Sequence, residues 1–217
     1  MNIIVVGLPG AGKGTHAKKL SKKHGLVYFS SGKLLRKTAK RDSSLGTVVN
    51  RYIRSGQLVP DEIAIRLMRE EIFKLKDEDM IIEGFPRNIK QTHSLERILD
   101  ELETGIDLCI YLKVKEQELI KRLKGRRLCP RDGSIYHVKF RPPQKEGICD
   151  KCGASLYQRQ DDKKEVIKEK INKNQKDIKE VIAYYQNKEI FETVIGTDKK
   201  IKEIQKEIEN LIENEIN

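Results

Sequence analysis

The stretch VVGLPGAGKGTHAKKL, residues 5–20, constrains the fold more than any other part of the chain. It follows a continuous apolar run, Ile3–Val6, and opens a segment with helical periodicity. Glycines at 7, 10, 12 and 14 let the backbone turn tightly, so that successive N–H groups converge on one anion. The helix N-terminus adds its partial positive charge, and Lys13 is within reach of the β- and γ-phosphates of a triphosphate. The strict pattern G-x-x-x-x-G-K-[ST] fails by one residue: Gly14 follows Lys13, and the hydroxyl arrives at Thr15. The position that normally supplies a direct Mg²⁺ ligand therefore has none, and phosphates and waters are expected to hold the metal.

Beyond the loop, apolar runs alternate with longer amphipathic stretches. Strands are expected at Ile3–Val6, Leu26–Phe29, Met80–Ile82, Leu108–Val114 and Thr193–Ile195. Helices are expected over 13–24, 31–41, 45–54, 61–75, 88–102, 116–124, 163–187 and 199–213. Continuous apolar strands alternating with helices define an α/β chain with a mostly parallel sheet of five strands. Two stretches break the rhythm and read as insertions. Residues 30–59 carry helices without a strand, and residues 125–162 are rich in Gly, Pro and Cys around an alternating pattern, SIYHVKF.

Lys and Arg outnumber Asp and Glu by 44 to 33, a net charge of +11 that implies an anionic partner. Nucleic acid fits poorly, because few aromatics interleave with the basic residues and Trp is absent. No run approaches the ~18 apolar residues of a membrane span. The start, MNIIVVG, reads as a strand rather than a signal, so a cytoplasmic location is expected. Cys109 sits in an apolar run and is expected in the core. The other three cysteines cluster, and in that compartment a metal site is favoured over disulfides.

The loop GLPGAGKGT resembles that of nucleoside monophosphate kinases. SSGKLLR, GQLVPDE, EGFPRNIKQ, GRRLC, YHVKF and RQDD follow in the order and spacing of the adenylate kinase family, and the resemblance runs from Ile3 to about Ile212. It implies a P-loop NTPase-type sheet forming a core (1–29, 60–124 and 163–217), an AMP-binding arm (30–59) and a lid (125–162). It implies reversible transfer of the terminal phosphoryl group of ATP to AMP, giving two ADP, by a monomer that binds neither nucleic acid nor membrane. A GTP-dependent AMP kinase and a weakened nucleotide-binding paralogue remain alternatives. The acceptor is already an anion, so alignment and charge neutralisation suffice for catalysis.

By that resemblance Gly10, Ala11, Gly12, Lys13, Gly14 and Thr15 hold ATP, with Arg122 stacking on its base, Arg126 on its phosphates, and Ile135 and Tyr136 flanking it. Ser31, Arg36, Gln57, Leu58, Val59, Gly84, Phe85, Pro86, Arg87 and Gln91 form the AMP side, where Gln91 reads the adenine edge. Lys13, Arg87, Arg126, Arg159 and Lys170 are the expected catalytic cations, the last two also touching AMP, with Asp161 or Asp162 ordering Arg159. Three positions depart from the family: Lys33 replaces an acid in the first arm motif, Glu83 replaces Asp after the third strand, and Lys170 replaces an arginine. Glu83 is expected to order the magnesium waters alone, with Lys33 turned to a phosphate or to that carboxylate.

CPRD (129–132) and CDKC (149–152) have the family's hook spacing, C-x2-C-x16-C-x2-[CD], with Asp132 in place of the second cysteine. A carboxylate is a competent zinc ligand, so Cys129, Asp132, Cys149 and Cys152 are expected to hold structural Zn²⁺, with iron as a second possibility. Two other readings stay open: a hook closed by hydrogen bonds alone, or Asp132 as a turn residue beside free thiols. His137 is a fallback ligand, expected in a lid strand.

Overall fold

In the computed structural model, which describes residues 1–55, 57–162 and 164–216, the alternation of strand and helix closes into one parallel sheet. The elements in chain order are β1 (Asn2–Val6), α1 (Lys13–His24), β2 (Val27–Ser30), α2 (Ser31–Thr38), α3 (Ser44–Arg54), α4 (Asp61–Phe73), β3 (Met80–Glu83) and α5 (Ile89–Asp100). There follow β4 (Leu108–Lys113), α6 (Glu116–Lys124), β5 (Arg126–Leu128), β6 (Ile135–His137), a 3₁₀ turn (Gln160–Asp162), α7 (Lys164–Gln186), β7 (Phe191–Ile195) and α8 (Ile201–Ile216). Gly56 of the first insertion, position 163 of the expected seventh helix and Asn217 lie outside the described residues.

The sheet order is β2-β3-β1-β4-β7, all neighbours parallel. Successive side chains of a strand face opposite sides, so each strand feeds two cores. Ile3 and Val5 pack with Ala17 and Leu20 of α1, Leu119 and Leu123 of α6, and Ile204, Ile208 and Ile212 of α8. Ile4 and Val6 pack with Met68 and Ile72 of α4, Leu95 and Leu99 of α5, and Val181 and Tyr185 of α7. With β1 central, the loop after it opens above the crevice between diverging crossovers, where ligands of open α/β sheets bind.

Some boundaries move for physical reasons. β2 runs one residue later than its apolar run suggests, because pairing with β3 sets Ser30 opposite Glu83. β7 starts at Phe191, where pairing opposite Cys109 outweighs the polar Glu192. The alternating SIYHVKF run yields only three strand residues. His137 Nδ1 accepts from the backbone N–H of Lys139 (3.0 Å) and Phe140 (3.1 Å), which turns the chain and ends β6.

The second insertion has almost no core of its own: Cys129, Tyr136 and Cys149 are buried together, flanked by Cys152, Ala154 and Leu156. A segment so poor in apolar contacts needs a cross-link to hold one conformation. Among the described residues, no helix is long and apolar enough to cross a membrane.

Candidate active site

The loop between β1 and α1 takes the backbone shape its glycines allow. Gly12 serves as the N-cap of α1 at φ 101°, a left-handed conformation costly for other residues. Lys13 turns back over the loop, its Nζ donating to the carbonyls of Gly7 (2.7 Å) and Leu8 (3.1 Å). Burial lowers its pKa to about 8, against the opposing pull of Glu83, with Arg87, Lys170 and Arg126 adding to the fall. Gly14 stands where the strict motif has a hydroxyl, and a Cβ there would lie 3.1 Å from the Tyr28 hydroxyl and 3.6 Å from Glu83 Oε2. The space of the usual metal-binding hydroxyl is thus bordered by Glu83 itself.

Glu83 closes β3 at the floor of the cleft. Ser30 donates to its Oε2 at 2.7 Å and the Tyr28 hydroxyl approaches at 3.4 Å. Burial opposes its ionisation, but Lys13, the Ser30 hydroxyl, Arg87 and Arg36 outweigh burial and hold the carboxyl below its ordinary pKa. Lys33 neither pairs with Glu83 nor caps it: its ammonium lies 4.5 Å from the centroid of the Tyr28 ring, a cation–π contact. Tyr28, passed over in the sequence, thus touches two of the three departures from the family pattern, Lys33 and Glu83. The readable signal is its spacing: two residues before Ser30 on a strand puts both on one face.

Beside this carboxylate, the Arg36 guanidinium lies against Gly32, and Arg87 Nε donates to the Gly84 carbonyl at 2.8 Å. Ser31 Oγ donates to the same carbonyl. Ser31, Leu58, Val59, Gly84, Phe85, Arg87 and Gln91 line one small pocket, and Pro86 borders the main cleft. Gln57 is exposed and lines neither. Gln91 is buried with its amide engaged: Oε1 accepts from Arg87 N at 2.9 Å and Nε2 donates to Asp61 at 2.7 Å.

On the opposite wall, Asp162 is fully buried and takes Arg126 in a bidentate pair (2.6 and 2.7 Å). Lys170 donates to Asp161 at 2.6 Å. Both acids hydrogen-bond to other cations and act on Arg159 through their charge, while Arg159 Nε is buried with no hydrogen-bond partner among the described residues. Burial, Arg126 and Arg36 together lower the Arg159 pKa to about 10. Arg122 bonds to the carbonyls of Ala11 (3.3 Å) and Gly196 (2.7 Å) and pairs with Glu118, so its edges are held. Ile135 and Tyr136 border the cleft, although the Tyr136 hydroxyl is turned to Asp150 N and Cys149 Sγ.

Lys13, Arg36, Glu83, Arg87, Arg122, Arg126, Arg159 and Lys170 share one cleft of about 1380 Å³. That exceeds the roughly 300–1,000 Å³ of a site for one small molecule.

The cysteine cluster is built by two copies of one turn. In 129–134 the N–H of Cys129 donates to Ser134 O and the N–H of Gly133 to Cys129 O; in 149–154 Cys149 donates to Ala154 O and Gly153 to Cys149 O. Gly133 and Gly153 have left-handed φ of 66° and 68°. The turns face each other and bring one ligand atom each from Cys129, Asp132, Cys149 and Cys152 within 4.8 Å of one another. Cys129 and Cys152 sulfurs are 3.3 Å apart, and Cys149 Sγ is 3.5 Å from Asp132 Oδ2. Tetrahedral ligands at zinc bond lengths would stand roughly 3.3–3.8 Å apart, so the donor set fits such an ion. His137 does not join them: it lies in β6 with its Nε2 3.2 Å from Lys121 O.

The adenylate kinase family model matches residues 5–190. The chain is 39% identical over 218 residues to the adenylate kinase of Staphylococcus epidermidis, covering 99% of this chain and 100% of that one. To the adenylate kinase of Archaeoglobus fulgidus it is 40% identical over 214 residues, 98% of each chain. To that of Caldicellulosiruptor saccharolyticus it is 39% identical over 209 residues, covering 96% of this chain and 97% of the relative. A parallel sheet with its glycine loop, a cleft walled by cations and likeness over nearly the full length converge: the chain belongs to the adenylate kinase family.

Proposed function

We propose that the protein transfers the terminal phosphoryl group of ATP to AMP, reversibly giving two ADP, and does so as a cytoplasmic monomer. The observation that carries this reading is one cleft, larger than one nucleotide requires, lined together by the phosphate loop, Arg36, Arg87, Arg126 and Arg159. The loop amides of residues 10–15 and Lys13 hold the donor phosphates, and Arg122 offers a guanidinium face to the donor base. Arg36 and Arg87 fork onto the acceptor phosphate, while Ser31, Leu58, Val59, Phe85 and Gln91 surround its base. The Gln91 amide must exchange its bond to Asp61 or Arg87 to read that base. Residues 30–59 serve as the acceptor arm and 125–162 as the lid.

An acceptor phosphate oxygen attacks the γ-phosphorus in line as the bond to the β–γ bridging oxygen breaks. The attacking oxygen is already ionised, so no protein base is required. Arg126, Arg159, Arg87 and Lys170 neutralise charge on the transferring group. Mg²⁺ bound with ATP would add charge neutralisation, and Glu83 would hold its waters. Cys129, Asp132, Cys149 and Cys152 would hold structural zinc that fixes the lid.

The test is phosphorus NMR of the purified protein with ATP, AMP and Mg²⁺: ADP should appear at two molecules per ATP consumed. One ADP and one inorganic phosphate per ATP, with AMP left unconsumed, would refute the reading. In the same assay Glu83→Gln should lower turnover by roughly 10²–10³-fold while ATP affinity stays within a few fold. Near-normal turnover would remove Glu83 from the magnesium site. The Lys13 ammonium, protonated below a pKa of about 8, sets a pH trend. Lys13 loses its charge as pH rises through that value, so ATP affinity measured by calorimetry should weaken from pH 7 to 9. An affinity flat over that range would show that Lys13 stays charged.

A further inference from the structure

His16 lies one turn into α1, 2% exposed, and it lines the cleft. The assignments above leave it without a role. Its Nδ1 is 2.9 Å from Oε1 of Gln205 on α8. The orientation of that amide is fixed from its far end, because Gln205 Nε2 donates to Glu209 Oε1 at 2.9 Å and a carboxylate only accepts. Glu209 is itself held by Lys23 at 3.0 Å. Gln205 therefore offers an acceptor to the imidazole, Nδ1 carries the proton, and Nε2 of the neutral ring presents a lone pair. Burial lowers the His16 pKa, with Lys19 and Arg122 adding to the fall and the Gln205 bond opposing it, which keeps the ring neutral at pH 7.

Nε2 sits on the side of the phosphate loop, where a Cβ built on Gly12 would lie 3.5 Å away. This end of the cleft is bounded by Arg122, tied to Ala11 and Gly196, and by Thr197, Ile201 and Ile204. Arg122 and Ile201 thus line the same cleft as His16, and in a mostly apolar site a few placed polar atoms set specificity.

We propose that His16 Nε2 selects the base of the donor nucleotide, accepting a hydrogen bond from an exocyclic amino group and disfavouring an oxo group at the same position. The inference rests on the phosphotransfer reading. Adenine carries an amino group at C6, whereas guanine and hypoxanthine carry an oxygen, which would meet the imidazole lone pair to lone pair. The selection is expected to be worth roughly tenfold, the scale of one hydrogen bond.

The test measures kcat/KM and calorimetric Kd for ATP and ITP, which differ at the C6 substituent and N1 protonation, with AMP saturating in the kinetic arm. Wild type should prefer ATP, and His16→Phe should reduce the ATP:ITP ratio roughly tenfold. Gln205→Glu places a carboxylate on Nδ1 beside Glu209, raising the imidazole pKa against Lys19 and Arg122. Nε2 then donates, and the ratio should shift toward ITP, most at low pH. A ratio that neither substitution changes overturns the proposal; should His16→Phe fail to fold, Gln205→Glu decides it. If wild type forms no ADP from ATP and AMP, the phosphotransfer reading fails, and the calorimetric ratio still decides base selection.

Discussion

Replacing Arg159 with methionine is expected to lower kcat by roughly 10³-fold, at the low end of what a transferring-phosphoryl arginine contributes, and to raise the thermal midpoint of the free protein. The two effects share one cause. The guanidinium is buried beside Arg126 and Arg36, and its pKa falls to about 10. A cation with a depressed folded-state pKa is less stable charged in the native protein than in the unfolded chain. That penalty is present at every pH below about 10 and fades only above it. Its Nε also lacks a hydrogen-bond partner among the described residues. Methionine keeps an unbranched apolar stem and removes the charge, so stability rises while the group that neutralises the transferring phosphoryl is lost. Steady-state kinetics with a thermal melt of the same preparation check both arms. A lower melting temperature would mean that Asp161 and Asp162 outweigh the two arginines, and unaltered kcat would remove Arg159 from the reaction.

Removing the metal from the hook is the second large perturbation. The purified protein should contain about one zinc per chain, the stoichiometry of a closed four-ligand site. Structural zinc carries roughly 10–16 kcal/mol of apparent binding free energy. If about 3 kcal/mol of that couples to global unfolding, the midpoint of a chain this size falls by about 6–12 °C on chelation. Amide exchange should accelerate within 125–162 and stay slow in β1, because that insertion has only a few buried side chains while β1 is wholly buried. Asp132→Cys should keep the metal and Cys149→Ser should lose it. Equal melting curves with and without chelator would mean that hydrogen bonds alone close the hook.

The parallel sheet was legible because its strands are apolar on both faces, and the phosphate loop because glycine spacing admits few backbone shapes. The hook was legible from spacing, since two short turns need two ligands three residues apart. What could not be read were choices among partners. RQDD places two acids beside an arginine, and only the packing of α7 against the 3₁₀ turn sends Asp162 to Arg126 and Asp161 to Lys170. Lys33 was expected on a phosphate or on Glu83. Its place over Tyr28 depends on β2 pairing with β3, which one apolar run does not disclose. The bond between His16 and Gln205 joins residues 189 positions apart and leaves no local trace.

The central claim is that two nucleotides meet phosphate to phosphate in one cleft. The most direct measurement is titration with a compound that joins two adenosines through five phosphates, followed by calorimetry and competition. One molecule should bind per chain, far more tightly than ATP or AMP alone, and displace both. Binding of two molecules per chain, or displacement of only one of the two nucleotides, would contradict the account.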